Sequence, residues 1–158
     1  MKKILILQGG YNEEHEVSIK TASQISKALK KLKISYRTLT VNPNTFEKDI
    51  KKFSNKNICF NALHGSFGED GSIQKILKFY KFKVTHSNQI SSANCFDKFK
   101  SKKIVSKLKI LTPTFEIVNC EKINLRLLDS FKKKFSKFVL KPVSSGSSHG
   151  LKIIKSKK

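Results

Sequence analysis

Arginine is nearly missing from this chain. Of 33 basic residues in 158, only Arg37 and Arg126 are arginine, and they face just 11 acids. Base and phosphate recognition favours the forked guanidinium, so a lysine excess spread along the whole chain argues against a dedicated nucleic-acid reader. The formal charge of +22 is read as a solvated surface, with a non-specific affinity for polyanions as its corollary. Long apolar runs are lacking too. No window is apolar for long enough to span a membrane. The run after Met1-Lys2-Lys3 stops at Gln8 without a small-residue cleavage site, so Ile4 to Leu7 reads as a first strand and not as an export signal. Cys59, Cys95 and Cys120 are odd in number and lack metal-ligand spacing, which suits buried apolar thiols in a cytoplasmic protein. There are no internal repeats and no low-complexity linker. A chain of this length suits one domain or two small ones.

What is present centres on Asn61-Ala62-Leu63-His64-Gly65-Ser66-Phe67-Gly68-Glu69-Asp70-Gly71-Ser72-Ile73-Gln74. Ile58-Cys59-Phe60 before it reads as a buried strand. Ile73, Ile76, Leu77 and Tyr80 after it fall at i, i+3, i+4 and i+7, the stripe of a helix. Between them lie three glycines, a histidine and two acids, at the place where open α/β sheets put their sites. Any one of these residues fits an ordinary turn, with Asp70 capping the next helix. Their concentration points to a site.

The chain before this loop alternates strand and helix. After strand one, Gln8-Gly9-Gly10 turns into a helix whose face is traced by Val17, Ala22, Ile25, Leu29 and Leu32. Amide N–H groups at such a helix start can meet an anion. Only Gly9-Gly10 is present and G-x-G-x-x-G is absent, which disfavours NAD. Glu16 either favours the helix dipole or faces the crevice and holds an ammonium group. Tyr36 to Val41 is a second strand, Phe46 to Phe53 a short helix, and Phe82 to Thr85 a further strand. This pattern predicts an α/β, Rossmann-like parallel-sheet domain over residues 1–88.

From Ser91 the texture changes. A helix is expected from Ser92 through Asp97-Lys98, with Phe96, Phe99, Val105 and Leu108 on its apolar face. Strands are expected at Phe115 to Val118, Lys137 to Pro142 and Leu151 to Ile154, with a helix over Leu125 to Phe131. The last two strands enclose Val143-Ser144-Ser145-Gly146-Ser147-Ser148-His149-Gly150, a hairpin tip whose N–H and hydroxyl donors suit phosphates. Gly146 to Gly150 also satisfies G-x-S-x-G. A nucleophile elbow needs a helix after its serine, and here a strand follows, so a hydrolase is rejected.

Taken together, these motifs resemble the N-terminal part of the D-alanine–D-alanine ligases, an ATP-grasp family. The resemblance runs from Gly9-Gly10 with Glu16-Val17-Ser18, through Leu63-His64-Gly65 and Gly68-Glu69-Asp70-Gly71-Ser72-Ile73-Gln74, to Asp97-Lys98. It continues with Thr112-Pro113-Thr114, then Lys141-Pro142 with Gly146-Ser147-Ser148 and Gly150. It implies that residues 89–158 open the ATP-grasp domain as its first, small lobe. It also implies a ligase of peptidoglycan synthesis that phosphorylates one D-alanine with ATP and lets a second attack the acyl phosphate.

The resemblance assigns Glu16 to the first D-alanine's ammonium group, with His64 beside that substrate and Ser147 in the same catalytic network. It assigns Lys98, Lys141 and the backbone of Ser145, Gly146, Ser147 and Ser148 to the phosphates of ATP. A homodimer is implied for the full-length family. The Mg²⁺ ligands are expected beyond Lys158, with no metal site within this chain, so the chain alone is expected to be inactive. His15 stands where the family usually has arginine, His86 where glycine is common, and His149 where a small apolar residue is usual. The alternatives are a truncated non-catalytic binding module and, less favoured, a basic nucleic-acid-binding protein.

Overall fold

In a computed structural model, residues 3–146 and 148–155 are described. Two compact units emerge, Met1–Phe96 and Asp97–Lys158. The first is built on a four-stranded parallel sheet in the order β2-β1-β3-β4: β1 (Ile4–Gly9), β2 (Tyr36–Val41), β3 (Ile58–Asn61) and β4 (Lys83–Val84). Strand β1 shows why it forms. Leu5, Ile6 and Leu7 are all fully buried, with Leu5 and Leu7 in one apolar cluster and Ile6 in another. A parallel strand covered on both faces needs such a continuous apolar run.

The larger cluster takes Phe46 and Ile50 from α2 (Phe46–Ile50) and Ile73 and Leu77 from α3 (Ser72–Phe79). The smaller one takes Ala22 from α1 (His15–Lys31), with Ile25 and Leu29 packed against it. The face of α3 is the expected one. That of α1 is met at Ala22, Ile25 and Leu29 and missed at its ends: Ser18 is buried, while Val17 and Leu32 are exposed. Val17 and Ser18 sit about 100° apart around the helix, so a stripe begun at Val17 is one residue off at that end. Helix α4 (Gln89–Phe96) packs on α3, so the change of texture at Ser91 falls inside a helix of the first unit.

In the second unit, Asp97 breaks the expected single helix. It takes an extended backbone, and its carboxylate accepts the N–H groups of Phe99 and Lys100, capping α5 (Lys98–Lys107). Phe115 to Val118 is not a strand. Among the described residues no strand pairs with it; instead the Phe115 ring meets Phe99 edge-on, and Lys102 lies over it while donating to Thr112 Oγ1 and the Pro113 carbonyl. Helix α6 (Leu125–Phe135) runs four residues further than expected. Phe131 of α6 packs edge-on against Phe138 in the antiparallel pair β5 (Lys137–Leu140) and β6 (Lys152–Lys155). None of the described residues from Asp97 onward is buried. Only Cys59 is the buried thiol expected, since Cys95 and Cys120 are exposed. Among the described residues no helix is long and apolar enough to cross a membrane.

Candidate functional site

The sheet order fixes where a crevice opens in the first unit. Strands β1 and β3 are neighbours, but β2 lies on the far side of β1 and β4 on the far side of β3. Loops leaving the carboxyl ends of β1 and β3 therefore diverge, which is the switch point where open α/β sheets bind ligands. Two side chains staple these loops together. Fully buried Ser18 accepts the Gly9 N–H at 2.8 Å and donates to the Ala62 carbonyl at 2.8 Å. Asn12 donates through Nδ2 to the carbonyls of His64 at 2.9 Å and Ser66 at 3.3 Å.

His64 sits between the two loops. Its Nε2 is 3.0 Å from Thr21 Oγ1, and its Nδ1 faces Glu69 Oε1 at 3.8 Å. The other oxygen of Glu69 accepts the Gly65 N–H at 3.0 Å. Gly65 has φ +70, and a Cβ built there would collide with Glu14 Oε2 and come within 2.9 Å of Asn12 Nδ2. Glycine is favoured at this point by the left-handed backbone, and its missing Cβ leaves the space that the Glu14 carboxylate takes. Asp70 follows the modest reading: its carboxylate accepts the N–H groups of Phe67 and Ser72 and shapes the loop. Asn61 and Gln74 do the same by converging on the Gly68 carbonyl.

Glu16 is exposed in the first turn of α1. The acid drawn into the crevice is Glu14, which is 8% exposed. Sequence reasoning passed over it, although the signal was there. Glu14, Ser18 and Ala22 are spaced by four, so a stripe anchored on Ala22 points to Glu14 and turns Glu16 away. Asn12 and Thr21 were missed as well. His15 has Nδ1 2.7 Å from the Gly10 carbonyl and closes the turn locally.

The second constellation lies in the second unit. Lys98, Phe99, Lys102, Phe131, Phe138 and Lys141 are among the residues lining a cavity of about 590 Å³. The Lys98 ammonium donates to the Ser145 carbonyl at 2.6 Å, and its backbone N–H donates to the Val143 carbonyl at 3.0 Å. Burial first, and then repulsion from Lys141, hold Lys98 below the usual lysine range, with Asp97 opposing both. The tip is closed by the His149 N–H on the Gly146 carbonyl and the Leu151 N–H on the Ser148 carbonyl. Strand β6 follows that tip, as the rejection of a nucleophile elbow required. Ser147 lies outside the described residues.

No family model matches the chain. It is 44% identical to a D-alanine–D-alanine ligase of Pelagibacter ubique over 150 residues, which is 93% of this chain and 48% of that protein. Among solved structures, the D-alanine–D-alanine ligase from Bacillus anthracis superposes with a TM-score of 0.79 at 35% identity, over 99% of this chain and 50% of that one. The same ligase complexed with ATP gives a TM-score of 0.74 at 33% identity, over 99% of this chain and 51% of that one. The chain is homologous to the N-terminal part of D-alanine–D-alanine ligases. It spans about half the length of the curated relatives it matches.

The α/β fold with its parallel sheet is the fold of those ligases' N-terminal part. Two lysines close enough to repel one another, beside a loop of small donors, suit a polyphosphate, and the apolar walls suit a flat ring. The fit to Mg²⁺ is different. Among the described residues no three His, Cys, Asp or Glu side chains group as metal ligands.

Proposed function

We propose that this chain supplies the first half of an ATP-dependent D-alanine–D-alanine ligase. Met1–Phe96 would be its substrate domain, and Asp97–Lys158 the first lobe of its nucleotide-binding domain. One observation carries the reading: the buried Glu14 carboxylate beside Gly65, at the β1–β3 crevice of a chain homologous to these ligases. A zwitterionic amino acid needs a carboxylate for its ammonium group. Exposed Glu16 offers about 1 kcal/mol at most in water, whereas an acid shielded from solvent acts through a lower dielectric and with less screening. We therefore assign the ammonium to Glu14, with His64 alongside, and leave Glu16 to the helix dipole.

A carboxylate oxygen of the first D-alanine attacks the γ-phosphorus of ATP, and ADP leaves. The amine of a second D-alanine then attacks the acyl carbon, loses a proton and expels phosphate. Lys98, Lys141 and the backbone of Ser145 to Ser148 would hold the phosphates and offset the charge that builds during transfer. Ser147 would join the substrate network. Mg²⁺ ligands, and a homodimer interface, would come from residues other than those described. Non-specific binding to polyanions follows from the +22 charge.

The test is ATP and D-alanine supplied to the full-length product that carries this sequence, with ADP and dipeptide measured together. Equal amounts of both, dependent on D-alanine and absent with L-alanine, are expected. ADP without dipeptide would overturn the reading.

A further inference from the structure

We infer that Asn12 is a positioning residue that sets the Glu14 acid against the His64–Ser66 segment. The inference rests on the ligase reading for the identity of the ligand, and on geometry for the coupling itself. Asn12 uses both ends of its amide. Its Oδ1 accepts the Glu14 N–H at 3.0 Å, while Nδ2 donates to the His64 and Ser66 carbonyls. The orientation is fixed by chemistry, since a flipped amide would set its oxygen against two carbonyls and its NH₂ against an N–H.

A turn alone would need only the acceptor, which Asp or Ser supplies equally well. The two bonds that reach 52 and 54 residues along the chain need a donor pair. Gly65 completes the arrangement. Its missing Cβ leaves room for Glu14 Oε2 and Asn12 Nδ2 on the same side. One amide thus ties the backbone of the acid to the backbone that carries His64. The Glu14 backbone is thereby fixed between two loops that are joined here and by Ser18.

The test uses the whole chain, ¹⁵N-labelled, and three proteins: unsubstituted, Asn12→Asp and Asn12→Ser. Asn12→Asp keeps the acceptor for Glu14 but faces two carbonyls with oxygen. It is expected to shift the Gly65 and Ser66 amide signals, leave those of Ala22 and Cys59 in place, and weaken D-alanine binding roughly tenfold. Asn12→Ser keeps an acceptor and one donor, so it should recover much of that affinity, and it serves if Asn12→Asp does not fold. D-alanine affinity within twofold of the unsubstituted chain in both variants overturns the inference. If the unsubstituted chain binds no D-alanine, the ligase reading fails separately. The Gly65 and Ser66 signals then decide: shifted, the coupling stands, and unmoved, it falls.

Discussion

The hydroxyl of Ser18 donates to the carbonyl of Ala62 at 2.8 Å across 44 residues of sequence, with both residues buried. The same oxygen accepts the Gly9 N–H. One small side chain in the middle of an apolar face therefore satisfies backbone groups on two neighbouring strand ends. Ser18→Ala strands both of them. We expect a loss of about 1–3 kcal/mol, seen as a lower urea midpoint for the first unit with an unchanged slope.

Glu14 and Glu16 make a paired test. Glu14→Gln is expected to weaken D-alanine binding by roughly 10- to 100-fold, because a buried charge-assisted bond to the ammonium is lost. Glu16→Gln should change it by less than about fivefold, the scale of an exposed ion pair. Calorimetric titration of the two variants decides between the carboxylates, and the reverse ranking would return the role to Glu16.

Lys98 gives a pH dependence. Its ammonium is held below the usual value of 10.5, chiefly by burial and then by Lys141. The folded chain therefore binds fewer protons there than the unfolded chain, so this group's contribution to stability rises with pH between its lowered value and 10.5. A triphosphate favours the charged form and draws a proton in. ATP affinity should fall as pH rises through the lowered value, with proton uptake visible when calorimetry is repeated in buffers of different ionisation enthalpy. Lys98→Met should remove the uptake and cost roughly tenfold or more in affinity. Lys141→Met should raise the Lys98 value.

The three thiols should separate by burial. Burial pushes Cys59 up to about 12, while Cys95 and Cys120 are exposed. A thiol reagent at pH 8 should label two sites in the native chain and the third only on unfolding. Rapid labelling of Cys59 under native conditions would contradict the packing of β3.

Much of the first unit was legible because the interior strands β1 and β3 announce themselves as apolar runs. The edge strand β2, half of it exposed, is marked instead by β-branched residues and the turn that closes it. Ile4 to Leu7, Tyr36 to Val41 and Ile58 to Phe60 all form strands at those places. The start of the α1 face was misread because Val17 looks like core and Ser18 does not. Only the hydrogen bonds to Gly9 and Ala62 make a buried serine favourable. Beginning the stripe at Val17 rather than Ser18 also hid Glu14. The break at Asp97 was masked by apolar residues continuing through Phe96 and Phe99, although an Asp before a helical run is itself a start signal. Phe115 to Val118 has strand composition, but a strand needs a partner as well, and Phe115 found a ring and a lysine instead. Motif order singled out His64, which lies between the two crevice loops, and Lys98 and Lys141, which line one cavity. The pairing of Lys98 with the Ser145 carbonyl was not legible, since it spans 47 residues.

The second unit holds no buried side chain among its described residues, whereas the first encloses two apolar clusters. Local opening then costs little beyond Phe96 and nearly the full unfolding free energy within the sheet. A protease that cuts after lysine will find most of its productive sites from Lys98 onward. Brief digestion should trim the chain to a resistant piece ending near Phe96, carrying the crevice, Glu14 and His64 intact.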